Sequence, residues 1–317
     1  MHDNGSETTD FTIKQANWCL FFVLLGYMAV DFVQAVLTGF FGIRFNMDVS
    51  IFTRMAAIVP VIIFAFSKRK RIASLRFAKT APGNVAVSAA LAFFVYLLST
   101  VVLTYLAGVI IGSGGSIPQN EIINYILSGS AVTAFLFFSV YAPFTEEIFL
   151  RGVFQNAYGY RVGFFAVILT GIVFGLMHAD LLSSVNGVIA GIVICYIYYR
   201  TRSIWNTIAF HAVFNLLGYT QAADTWVVNY PWMAGVLPME TMDTANPAYQ
   251  VYTLGILAVA ALVSYVLLRW MKDTNGVPAM TAAQRKPRER FEMVPFILAS
   301  VLLAGRLALG TAAYFIS

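Results

Sequence analysis

Three short strings set acids, bases and amides at one-turn spacing within strongly apolar surroundings. In PFTEEIFLRG, Glu147 and Arg151 stand four residues apart and share a helix face, while Glu146 is turned away by about 100°. An arginine that holds Glu147 in an ion pair leaves Glu146 to point inward as a general base. FGLMHAD sets Phe174 and His178 one turn apart, and FHAVFN does the same for His211 and Asn215. Two neutral donors on one face suit the oxyanion of a tetrahedral intermediate, which needs preorganised hydrogen bonds more than charge. Each string also has a plainer reading: a polar helix end for the glutamates, a packed histidine for His178, and an interhelical hydrogen-bonded pair for His211 and Asn215.

What must position these side chains follows from composition. Of 317 residues 59% are hydrophobic and 11% charged, against about 25% charged in soluble domains. With a mean hydropathy of +0.76 and apolar runs of about 20 residues, the chain reads as a polytopic membrane protein. The runs are too long and too unalternating for barrel strands, so the fold class is an all-α membrane helix bundle. Spans are expected at 17–41, 51–67, 85–112, 127–150, 163–181, 186–200, 204–221, 250–268 and 294–316. That gives about nine, or eight if the short 51–67 run with Arg54 and Pro60 does not cross. A polar tail, 1–16, precedes a single membrane domain, 17–316, and no internal repeat suggests duplicated transporter halves. The first run is longer than a signal-peptide core and lacks its basic flank, which predicts a retained span.

Seventeen of the twenty Lys and Arg residues fall in loops of one parity, among them Lys14, the KRKR run at 68–71, Arg151, Arg161, Arg200 and Arg202. The opposite loops, 113–123 and 222–249, hold Glu121, Asp224, Glu240 and Asp243 but no basic residue. The positive-inside bias then puts the N-terminus in the cytoplasm and, with nine spans, the C-terminus outside. Basic loops facing anionic lipid account for the net charge of +5, and no nucleic-acid partner is expected. Trp226 and Trp232 in the 222–249 loop read as an interfacial aromatic anchor.

Ionisable groups inside spans cost at least about 2.5 to 3.5 kcal/mol each on insertion scales, so those present are functional candidates. Besides the three strings they are Asp31, Arg54 and Arg306, with Asp180 at a span edge. Asp31, near Gln34, can bond across helices, and the two arginines can snorkel or pair within the bundle. Cys19 and Cys195 lie in separate apolar runs and read as packing residues.

The ordered set EExxxR, FxxxH and HxxxN on three spans resembles the signature of the CPBP family of intramembrane proteases. That family includes the CAAX prenyl endopeptidases of the Ras-converting type and the bacterial abortive-infection and bacteriocin-immunity homologues. The resemblance covers about residues 127–221, the expected catalytic core. It implies peptide-bond hydrolysis in a membrane, that of a bacterial cell, on a membrane-associated peptide or protein that is prenylated or otherwise lipid-anchored. It further implies Glu146 activating a water oriented by His178, His211 and Asn215 as the oxyanion hole, and Glu147 with Arg151 in support.

Two alternatives remain open on the residues alone. Glu146, His178 and His211 could supply the three protein ligands of a catalytic zinc, although neither histidine belongs to an HExxH pair and the metal-free reading is preferred. A non-enzymatic membrane protein, a proton-coupled transporter or an immunity or scaffold factor, could use the same groups. One conflict in depth is also visible. Taking Arg151 and Arg161 as inner span ends puts Glu146 about 8 Å and His178 about 25 Å from the same surface. A shared site in the cytoplasmic half therefore requires 152–165 to be an interfacial or projecting helical stretch, with His178 within one-water reach of Glu146.

Overall fold

The structure, a computed structural model, describes residues 11–43, 77–117, 131–178, 180–222, 246–273 and 290–316. All regular structure among the described residues is helical. The elements are α1 (Ile13–Phe41), α2 (Pro82–Gly112), α3 (131–162), α4 (Phe165–Leu176), α5 (Leu181–Thr201), α6 (Ile204–Ala222), α7 (Pro247–Trp270) and α8 (Val294–Ile316). Six helical stretches are long and apolar enough to cross a membrane: α1, α2, Val132–Gly159 of α3, α5, α7 and α8. The chain is thus an integral membrane protein. The nine- or eight-span count is not reproduced as such, because α4 has only 12 residues, α6 is not among the six, and the expected 51–67 span lies outside the described residues. Most of the 222–249 loop and the KRKR run also lie outside them.

Helix starts follow local chemistry. Thr12 and Gln15 form a reciprocal capping box on α1, Pro82 sits in the first turn of α2, and Asp180 caps α5 by accepting from the Ser183 amide at 3.0 Å. The long α3 departs from α geometry twice, in π-helical segments at Phe137–Tyr141 and Ile148–Gln155. Such one-turn widenings recur at functional sites.

Hydrogen bonds sort the helix ends onto two sides. On one side Asn17 donates to the Glu292 carbonyl, Tyr158 donates to Asn17, Arg161 pairs with Glu292 and Arg200 with Asp273. There too Asn84 bonds the Lys272 backbone and Ser203 bonds the Ala78 carbonyl. On the other side Tyr314 donates to Asp180, and the Ser116 amide to the Tyr314 carbonyl. Arg161, Arg200 and Lys272 therefore share one end, as their loop parity predicts. Arg151 does not: its side chain is 0% exposed in the middle of α3, not in a basic loop.

This placement also corrects the depth conflict. The stretch 152–158 does not project but is buried in the bundle, and α3 reaches the basic end only at Arg161. Measured from there, Glu146 lies about 20 Å along α3, and His178 about 20 Å beyond the start of α4, at about 1.5 Å rise per residue. The two are level, and they lie deeper than the half of the bundle next to the basic loops.

Close approach of α4 and α5 depends on glycine. A methyl on Gly175 would sit 2.3 Å from Val188 Cγ2 and 2.5 Å from the Ser184 carbonyl oxygen, and one on Gly171 2.8 Å from the Ile192 backbone nitrogen. Across the interface, a methyl on Gly191 would sit 2.7 Å from the Phe174 ring. Gly171 and Gly175 on α4 and Gly187 and Gly191 on α5 thus form a pair of small-xxx-small strips, the packing used where lipid gives helices no hydrophobic drive to associate.

Candidate active site

The deepest layer is the ion pair. Glu147 Oε1 accepts from Arg151 Nη1 at 2.9 Å, and both side chains are 0% exposed. Arg151 Nη2 reaches across to the Gly191 carbonyl at 3.3 Å and to Cys195 Sγ at 3.5 Å. Gln155, one turn on, donates to the Cys195 carbonyl at 2.8 Å. A buried charge pair is held by such additional bonds, because removing either partner strands the other. Cys195 is thereby part of the packing under the site.

Above the pair lies His211 of α6. Its Nδ1 is 2.8 Å from Glu147 Oε1, and its Nε2 is 3.8 Å from Glu146 Oε2. The two adjacent glutamates are therefore separated as helix geometry requires, Glu147 into the closed interior and Glu146 onto the surface of a cavity. Phe174 is the spacer. Its ring meets His178 edge-on at 5.1 Å between centroids and His211 at 5.4 Å, and the Arg151 guanidinium carbon is 5.1 Å from its centroid.

Glu146, His178, His211 and Asn215 all line one cavity of about 450 Å³, together with Tyr27 of α1, Tyr96 of α2, Asn186 of α5 and Arg306 of α8. His178 follows the end of α4, and its Nδ1 is 3.0 Å from the Phe174 carbonyl oxygen. A carbonyl only accepts, so Nδ1 carries the hydrogen and a neutral His178 has its lone pair on Nε2. Asn215 Nδ2 donates to the Phe138 carbonyl at 2.9 Å. In the π register of this turn the Ala142 amide bonds the Phe137 carbonyl. The next amide would serve Phe138, but residue 143 is proline and has none. Asn215 fills that vacancy with one of its two amide hydrogens.

The structure thus gathers all seven residues singled out by the three strings: Glu146, Phe174, His178, His211 and Asn215 on the cavity, and Glu147 and Arg151 behind it. The sequence suggests a snorkelling or pairing role for Arg306. It does pair, with Nη2 3.6 Å from Asp31 Oδ2, but it also lines the cavity and donates to the Met177 carbonyl at 3.3 Å. Tyr27, Tyr96 and Asn186 carry no local signal, being a tyrosine or amide in an apolar run. The glycine strips do carry a signal in the sequence, the four-residue spacing of Gly171 with Gly175 and of Gly187 with Gly191. Among the described residues no three His, Cys, Asp or Glu side chains are grouped so as to hold a metal ion.

Fold and site together define a helical membrane protein with a carboxylate, two histidines and an amide converging on one cavity. Residues 128–217 match the family model described as Rce1-like, type II CAAX prenyl endopeptidase, nearly the whole of the expected core. The chain is also 32% identical over 78 residues to a curated Bacillus subtilis (strain 168) protein named "Putative membrane peptidase YdiL". That stretch is 24% of this chain and 32% of the relative, so the chain spans about a third of the relative's length. No solved structure matches.

Proposed function

We propose that the protein is an intramembrane endopeptidase that hydrolyses a peptide bond of a membrane-associated substrate by water activated at Glu146, without a covalent acyl-enzyme. The observation that carries this reading is the convergence of Glu146, His178, His211 and Asn215 on one cavity, within the segment matched by a prenyl endopeptidase family. In the proposed reaction the Glu146 carboxylate takes a proton from water, and the lone pair on His178 Nε2 orients that water. Asn215 has a second amide hydrogen for the developing oxyanion, and His211 borders the same position. Glu147 and Arg151 hold His211 from behind.

The proposed substrate is a peptide segment that is lipid-anchored or membrane-embedded, since an extended chain must reach a cavity about 20 Å from the basic end. With that end in the cytoplasm by the positive-inside bias, the cut falls within the bilayer. The proposed chemistry needs no cofactor.

Comparison of membrane proteomes from cells carrying the wild-type chain and Glu146→Gln tests the reading. New peptide C-termini that depend on Glu146, at unchanged protein level, are the expected result. Loss of turnover on chelation, restored by zinc, would replace the metal-free mechanism. A biological effect that survives Glu146→Gln would favour transport or scaffolding instead.

A further inference from the structure

His211 has its two ring nitrogens in different surroundings. Nδ1 lies 2.8 Å from an oxygen of Glu147 that also accepts from Arg151 at 2.9 Å, while Nε2 faces the cavity 3.8 Å from Glu146. A carboxylate paired with a guanidinium only accepts hydrogen bonds, so the hydrogen must sit on Nδ1. A neutral His211 therefore has a bare lone pair on the cavity side, and it has nothing to donate to an oxyanion. It donates there only after taking up a second proton.

The neighbours define where such a proton comes from. From α3 the ring faces Glu146, Glu147 and, through Glu147, Arg151. From α4 it meets the edge of Phe174, with His178 on the same cavity. From α5, Cys195 lies against Arg151. Tyr96 of α2 and Arg306 of α8 line the cavity. The acid nearest to Nε2 is Glu146, the group that removes a proton from water in the reaction above.

We infer that His211 is a proton carrier between Glu146 and the leaving amine, with Glu147 and Arg151 as positioning residues that fix its hydrogen on Nδ1. The inference rests on the peptidase reading of this site. Water first gives its proton to the Glu146 carboxylate and its oxygen to the carbonyl carbon, forming the tetrahedral intermediate. The Glu146 carboxylic acid then passes that proton to His211 Nε2. As the intermediate collapses, the carbon–nitrogen bond breaks and His211 Nε2 protonates the departing nitrogen. Glu146 ends as carboxylate and His211 as neutral ring, so one water is consumed and no proton is left over. Asn215 remains as the oxyanion donor.

Nitrogen NMR of the full chain with ¹⁵N-labelled histidine, purified in detergent, tests the hydrogen's position without any substrate. The chain has only three histidines, His2, His178 and His211, and loss of a signal in His211→Gln assigns it. A hydrogen-bearing Nδ1 on His211 is expected in the wild type, with the other tautomer appearing in the double variant Glu147→Leu/Arg151→Met, which removes the acceptor together with the charge it pairs. A bare Nδ1 in the wild type, or no change in Glu147→Leu/Arg151→Met, overturns the inference.

The transfer step is tested with the peptide found by the proteome comparison, made as an amide and as a p-nitrophenyl ester whose leaving group needs no proton. His211→Gln is expected to slow the amide at least tenfold more than the ester. Equal slowing of both marks a static oxyanion donor and overturns the inference. Should no cleaved peptide exist, the peptidase reading falls while the NMR result still stands by itself.

Discussion

Asn215 on α6 donates to the Phe138 carbonyl on α3, the carbonyl that the ring of Pro143 deprives of a backbone partner. One missing N–H thereby ties two helices together at the site and orients an amide whose other hydrogen is available for chemistry.

Pro143→Ala returns an amide to that turn and releases Asn215. If Asn215 is the oxyanion donor proposed above, turnover of the identified substrate falls about tenfold or more, the cost of misplacing one such donor. The thermal midpoint in detergent should not drop. An unchanged kcat would show that the Asn215 orientation is immaterial.

Gly187 lets His178 sit where it does, since a methyl there would lie 3.0 Å from His178 Nδ1 and 2.8 Å from the Gly175 α-carbon. Gly187→Ala is expected to lower both activity and stability, because backbone as well as side chain must move. Gly255→Ala on α7 is the control: nothing lies within 4 Å of the added methyl, and helix propensity predicts a change of at most about 1 kcal/mol in the stabilising direction. Thermal unfolding and turnover of both variants decide between them.

Arg151→Met strands the Glu147 carboxylate in a closed interior and should cost about 3 to 5 kcal/mol. Adding Glu147→Gln removes the orphaned charge, so the double variant is expected to recover much of that loss while remaining inactive. Additive losses in calorimetry would show that the two residues do not act as a pair.

Asp180 caps α5 through the Ser183 amide and also accepts from Tyr314 of α8, two residues after His178. Asp180→Ala should cost about 1 to 2 kcal/mol. Tyr314→Phe should cost less, and the two together less than their sum, because they share one bond. Full additivity in a double-mutant cycle would contradict the shared contact.

Side-chain spacing carried much of this in the sequence alone. Four-residue intervals paired Glu147 with Arg151, set Glu146 apart and joined His211 to Asn215, because a helix in lipid must satisfy its own backbone and so keeps its period. Charge in the loops separated the ends, as the shared position of Arg161, Arg200 and Lys272 bears out. The sequence did not determine depth. Arg151 reads as a span end, since arginine in lipid is costly, and only burial against Glu147, Gly191 and Cys195 makes its mid-bundle place tolerable. Nor did it determine which hydrogen each histidine carries. That depends on an acceptor from another part of the chain, Glu147 for His211, and such a contact exists only once the helices have packed.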